Sequence, residues 1–148
     1  MKLPIYYVDA FTDTLFSGNP AAVIFSDIND SELMQNIAAE NNLSETAFIR
    51  KDGDDFIIRW FAPSCEIDLC GHATLASAFI YFNYINTEEK IFNVKSLKNG
   101  VLTVSKKDFG IIWPYATTIT KSGDSFLKLL NSFSLFKFSG LSKITLFS

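Results

Sequence analysis

Histidine occurs once in this sequence and cysteine only twice. A structural or catalytic zinc centre draws three or four ligands from Cys, His and acidic side chains, so the usual Cys/His site lacks donors here. Positive charge is not in excess either: 13 Lys and Arg stand against 16 Asp and Glu, for a net charge of −3. A nucleic-acid binder would show a basic face, so that class is set aside. No run approaches the roughly 18 uncharged apolar residues that span a bilayer. The apolar run in the opening Met1–Ala10 stretch is short and interrupted by Asp9, so it does not read as a signal peptide. The expectation is a cytoplasmic protein without a membrane partner, in which Cys65 and Cys70 are reduced; Cys70 at a helix start can be an activated thiol, but a buried structural thiol is the better reading of both. Gly-x-Ser-x-Gly and Walker-type loops are absent, and Gly110 and Gly123 stand in no phosphate-loop pattern.

What remains is an apolar-rich chain, 48% hydrophobic over 148 residues, enough for one domain with a core. Residues 4–10 alternate weakly and predict a strand. Phe16-Ser17-Gly18-Asn19-Pro20 is turn chemistry, and Ala21–Phe25 resumes as a strand. Asn29 or Asp30 can cap a helix carrying Leu33, Met34, Ile37 and Ala38 at helical spacing and ending near Asn41-Asn42. A strand over 43–49 and another over 56–61, joined by a polar turn with Gly53, predict a hairpin. Residues 72–83 predict a helix apolar nearly all round, hence a buried central one. Residues 91–95 and 101–104 read as two strands turning at Asn99-Gly100. Trp60 and Trp113 suit a core or a cleft wall. Beyond about residue 113 the composition shifts to Ser, Leu, Phe and Lys, with one partial helical stripe through Phe126, Leu127, Leu130 and Phe133.

Three local features carry chemistry. Glu45 is a lone carboxylate in apolar company, Leu43-Ser44-Glu45-Thr46-Ala47-Phe48. Burial disfavours the charged form of a carboxyl, and one that titrates nearer neutrality can both take and return a proton. The same pattern also describes an exposed glutamate at a strand end. Second, Asp68-Leu69-Cys70-Gly71-His72-Ala73-Thr74 feeds a glycine-containing loop into a helix start. Free amides at Gly71, His72 and Ala73 and the helix dipole favour an anion such as a substrate carboxylate. His72 can bond a substrate or shuttle a proton there, or merely cap the helix. Third, the tight Ser17-Gly18-Asn19-Pro20-Ala21 turn can present the Asn19 side chain to a ligand, or be an ordinary turn.

Phe11-Thr12-Asp13, Phe16–Val23, Ala38–Phe48, Arg59-Trp60-Phe61 and Glu66–Ala76 occur in one order. From about residue 3 to about residue 105 the chain resembles the PhzF family of phenazine-biosynthesis-type isomerases. The resemblance implies an α+β fold, a curved mixed β-sheet wrapped around a central α-helix, as in one half of a diaminopimelate-epimerase-like protein. In that fold two similar halves flank the active-site cleft. It implies cofactor-free and metal-free proton transfer on a small carboxylated substrate, of which trans-2,3-dihydro-3-hydroxyanthranilate is the family's prototype. Glu45 matches the proton-moving glutamate, and His72 the histidine that helps hold the substrate. Epimerase relatives use paired cysteines, and no cysteine follows Cys70 on the helix here.

The family's second half carries an Asp-Pro-Ala-Thr-Gly-like loop, and none is found. After Asp108-Phe109-Gly110 the chain runs Ile111-Ile112-Trp113-Pro114-Tyr115 and into the altered composition. The expectation is therefore a half-domain over 1–113 and an aberrant, frameshifted or truncated tail over 114–148. Such a half is either part of an isomerase completed by a homodimer or a second half, or a non-catalytic remnant.

Overall fold

The computed structural model describes residues 3–12, 17–107, 110–112 and 141–147, the last two stretches and residue 107 by their backbone. Nine strands and two α-helices are defined among them, in the order β1 Leu3–Ala10, β2 Asn19–Phe25, α1 Ser31–Asn41, β3 Glu45–Asp52, β4 Asp55–Phe61, β5 Glu66–Ile67, α2 Gly71–Ile80, β6 Ile91–Ser96, β7 Gly100–Lys107, β8 Gly110–Ile112 and β9 Leu141–Phe147. The strands form one mixed sheet in the spatial order β8-β7-β6-β4-β3-β2-β1-β9. Short β5 lies against the Trp60–Phe61 end of β4, while β6 takes its Phe56–Ile58 end.

Two parallel pairings, β2 with β3 and β4 with β6, are bridged by helices, as parallel pairs require. α1 bridges the first and α2 the second. Asp30 caps α1: its carboxylate accepts from the Glu32 and Leu33 amides at 2.9 and 3.2 Å. Asn42 ends it in the left-handed region at φ 50°, its amide donating to the Ala38 carbonyl. That reversal takes up Leu43 and Ser44, so β3 begins at Glu45 rather than at Leu43 as expected.

Strand periodicity divides the core in two. On β2, β3 and β4, Ala21, Val23, Ala47, Ile49, Ile58 and Trp60 face one way, against α2. The alternate residues Ala22, Ile24, Phe48 and Phe61 face the other, against Met34 and Ala38 of α1. A sheet covered on both faces reads as a continuous apolar run, which explains Ala21-Ala22-Val23-Ile24. α2 is the central helix. Ala73, Leu75, Ala76, Ala78 and Ile80 are all buried, and the sheet curls around it. Its buried hydroxyls bond back along the helix, Thr74 to the Cys70 carbonyl at 2.6 Å and Ser77 to that of Ala73 at 2.7 Å. The helical run predicted over 72–83 continues past α2 as a π-helical turn, Tyr81–Ile85, closed by the Asn86 amide on the Tyr81 carbonyl.

The predicted β3–β4 hairpin forms, with Asp52 opposite Asp55. The β6–β7 turn holds three residues, Leu97–Asn99, between Ser96 and Gly100 at φ 71°. Cys65 is exposed, contrary to the buried thiol expected of it, because it sits in the break between β4 and β5; Cys70 is buried. One strand of the tail segment, β9, pairs antiparallel with β1 from Leu3 opposite Phe147 to Val8 opposite Leu141. Trp113 and the helical stripe through Phe126 and Phe133 lie outside the described residues. None of the described helices is long and apolar enough to cross a membrane.

Candidate active site

Glu45 opens β3 on the same face as Ala47 and Ile49, the face that looks toward α2. Its neighbour Thr46 is held to the opposite face by a chain of bonds. The Tyr7 hydroxyl donates to Asn41 Oδ1 at 3.0 Å, and Asn41 Nδ2 donates to Thr46 Oγ1 at 3.2 Å. With Thr46 fixed outward, pleating turns Glu45 inward.

His72 approaches from the first turn of α2. Glu45 Oε2 and His72 Nε2 lie 3.2 Å apart, with side-chain exposures of 19% and 9%. They meet in distance but not in direction: neither buried atom has a hydrogen-bond partner. Cys70 Sγ stands 3.3 Å from the other ring nitrogen, Nδ1. Burial pushes the His72 imidazole below its ordinary value, opposed by the Glu45 charge and the Pro20 carbonyl. Burial pushes the Cys70 thiol up to about 12, opposed by the amides of Ala73 and His72 and reinforced by the Glu45 carboxylate. The site at neutral pH therefore holds a neutral imidazole between a thiol and a carboxyl group.

The α2 N-terminus adds free donors. Its first helical bond is the Thr74 amide on the Cys70 carbonyl, so the amides of Gly71, His72 and Ala73 have no intrahelical acceptor. Parallel pairing of Ala21 with Glu45 brings the β2 start beside the β3 start. Ser44 Oγ lies 3.5 Å from Asn19 Oδ1 and 3.4 Å from the Pro20 carbonyl. Asn19 is thus placed beside the residue that precedes Glu45. Gly18 makes this approach: at φ 100°, a Cβ would stand 2.4 Å from the Ala10 carbonyl oxygen.

Glu45, Asn19, Gly71, His72 and Ala73, distant in sequence, are gathered around the mouths of β2, β3 and α2. Two more residues border the site. Cys70, expected as a structural thiol, lies against the His72 ring, and its spacing of two from His72 at a helix cap is the signal for it in the sequence. Phe11, 45% exposed, holds a positive φ of 67° and its ring centroid lies 6.4 Å from that of His72. Positive φ on an aromatic residue is costly and has no sequence signature.

The same cluster could hold a metal, since one ligand atom each from Glu45, Cys70 and His72 lie within 4.8 Å of one another. An ion bonds one nitrogen of an imidazole, however, and the thiol and carboxylate face different ones. All three would ligate one ion only after a side chain moved.

The chain matches the family model described as phenazine biosynthesis-like protein over residues 8–117. It is 51% identical over 111 residues to an uncharacterized isomerase of Halalkalibacterium halodurans, covering 72% of this chain and 41% of that one. It is 45% identical over 121 residues to the human phenazine biosynthesis-like domain-containing protein, covering 76% and 42%. A crystal structure of a PhzF-family protein from Enterococcus faecalis superposes with a TM-score of 0.73 at 50% identity, over 76% of this chain and 44% of that one. A hydroxyproline epimerase from Agrobacterium vitis shares the fold alone, with a TM-score of 0.52 at 9% identity. The chain spans about two-fifths of the length of the curated relatives it matches. By sequence, by fold and by extent of match, it belongs to the phenazine biosynthesis-like PhzC-PhzF family.

Proposed function

We propose that this chain carries the proton-transferring half of a PhzF-like isomerase acting on a small carboxylated substrate. The observation that supports it most is the juxtaposition of Glu45 and His72: a buried carboxylate oxygen and a buried ring nitrogen, 3.2 Å apart, each without a hydrogen-bond partner. Buried polar groups are ordinarily satisfied, so a pair left open is a place for a ligand's polar atom. Glu45 takes a proton from one carbon of the substrate and returns it to another, which needs no redox partner. His72 offers an Nε2 donor to the oxygen or nitrogen on the same substrate. The free amides of Gly71, His72 and Ala73 hold its carboxylate, with Asn19 at the opposite lip. A dihydro-hydroxyanthranilate-like acid fits this division of labour. The other wall of the cleft comes from a second half or from a second copy of the chain in a homodimer.

Wash-in of deuterium tests the reading. The full chain is incubated in heavy water with trans-2,3-dihydro-3-hydroxyanthranilate, and incorporation at carbon is followed by mass spectrometry. Exchange is expected, and Glu45→Gln should cut it by roughly 10²–10⁴-fold, the usual contribution of a positioned acid/base. Exchange no greater than that of the variant, with the fold intact, makes the chain a non-catalytic remnant.

A further inference from the structure

Cys70 has no part in the proton transfer just described, yet its thiol is buried against the one histidine of the chain. We propose that Cys70 is a positioning residue of this site: its S–H fills His72 Nδ1, so that the single proton of the neutral ring stays on Nε2, beside Glu45.

The argument is one of complementary donors and acceptors. A neutral imidazole carries one N–H and one lone pair. Glu45 faces Nε2 at 3.2 Å, and a carboxylate can only accept. A lone pair on Nε2 would meet oxygen lone pairs at that distance, which is repulsive; an N–H there is attracted. The Pro20 carbonyl, a second acceptor close to the ring, favours a ring proton. Ser44, next to Glu45, approaches this carbonyl. Nδ1 is then the lone pair, and it needs a donor. The group in contact with it is the Cys70 sulfur at 3.3 Å, a weak but real donor when it carries its proton. Burial and the Glu45 carboxylate, a second acceptor within reach of the thiol, keep that proton on. The opposite tautomer sets Nδ1–H against a sulfur, a weak acceptor, and turns a nitrogen lone pair on the carboxylate oxygen.

Fold and sequence place the thiol for this. Cys70 is the N-cap of α2 in an extended conformation, φ −135° and ψ 112°, and makes no capping bond with its side chain. A serine, threonine or aspartate at this position would turn inward to cap the helix amides. A thiol is a weak acceptor: the Ala73 and His72 amides act on the sulfur without a capping bond, and its S–H still points to the imidazole two residues on.

The role serves the isomerase reading, for it keeps His72 a donor at Nε2 and leaves Glu45 as the base. Its test needs no turnover, so the two can fail separately. Because the chain has one histidine, long-range proton–nitrogen correlation spectra of the full ¹⁵N-labelled protein report His72 without assignment. The expected wild-type spectrum shows a pyridine-like Nδ1 and a pyrrole-like Nε2. Cys70→Ala should move the Nδ1 resonance further downfield, as its hydrogen bond is lost. It should also raise the midpoint of the His72 titration, because a donor to the neutral ring opposes protonation. Cys70→Ser, whose hydroxyl turns to the helix amides, should behave like Cys70→Ala in both readouts. A pyrrole-like Nδ1 in the wild-type protein overturns the proposal even if the variants do not fold. So does a Cys70→Ala protein whose Nδ1 resonance and titration match wild type.

Discussion

Alkaline pH should destabilise this protein through Cys70, by an amount the burial of the thiol sets. The thiol titrates at 9.0 in the unfolded chain and at about 12 in the folded one, chiefly because burial opposes the thiolate, with the Glu45 charge adding to the effect. A group whose folded value is raised contributes fully below its unfolded value and loses that contribution as pH rises toward the folded one. The window is therefore pH 9 to about 12. At about pH 10 the unfolded chain holds roughly ten thiolates per thiol while the native site stays protonated, which costs about 1.4 kcal/mol. Urea unfolding of wild type and Cys70→Ala, followed by tryptophan fluorescence at neutral pH and at about pH 10, gives the number. Subtracting the two proteins removes the lysines and tyrosines they share, and the neutral-pH difference removes the cavity left by the sulfur. The wild-type advantage should shrink by about that amount. A stability difference that does not change with pH would refute the reasoning, since the thiolate would then be as well accommodated in the folded site as in water.

Two further outcomes follow from the same geometry. Glu45→Gln should lower the His72 titration midpoint further, because the Glu45 charge is the main force opposing burial; a rise, read by NMR titration of the single histidine, would contradict this. The sign for stability is the reverse of the thiol's: below the usual histidine value of 6.5, an unfolded chain binds a proton that the native site resists, so stability falls as pH falls. Gly18→Ala should cost about 2 kcal/mol or more, since positive φ alone costs roughly 1–2 kcal/mol and its Cβ would stand 2.4 Å from a carbonyl oxygen. Thermal unfolding checks it, and an unchanged midpoint would mean the β1–β2 turn can open without loss.

Much of the architecture was legible because it rests on local chemistry. A cap at Asp30 and apolar spacing through Ala38 specify α1 whatever it packs on. Gly53, in the turn of one hairpin, and Gly100, which follows the turn of another and opens β7, are both at positive φ beside strands that alternate or run apolar. The helix at 72–83 was legible as buried because nearly every side chain on it is apolar or small. The strand at Leu141–Phe147 was not, since its pairing with β1 is set by a partner far away in the chain and its own alternation is poor.

The sequence by itself determined the inventory at the site: a carboxylate at a strand start, a histidine at a helix start, and an asparagine in a glycine turn. Those depend on neighbours a few residues away. Only the tertiary structure decided which of them meet. Glu45 and His72 are 27 positions apart, and they are brought to 3.2 Å because β3 pairs parallel with β2 while the sheet curls around α2. Cys70 changed meaning in the same way. In the sequence it is a small apolar residue ahead of a helix; in the fold it faces an imidazole nitrogen, because an N-cap side chain that does not cap is free to turn to what lies beside it. Hydrogen-bond complementarity is a property of atoms in space, and no spacing rule carries it.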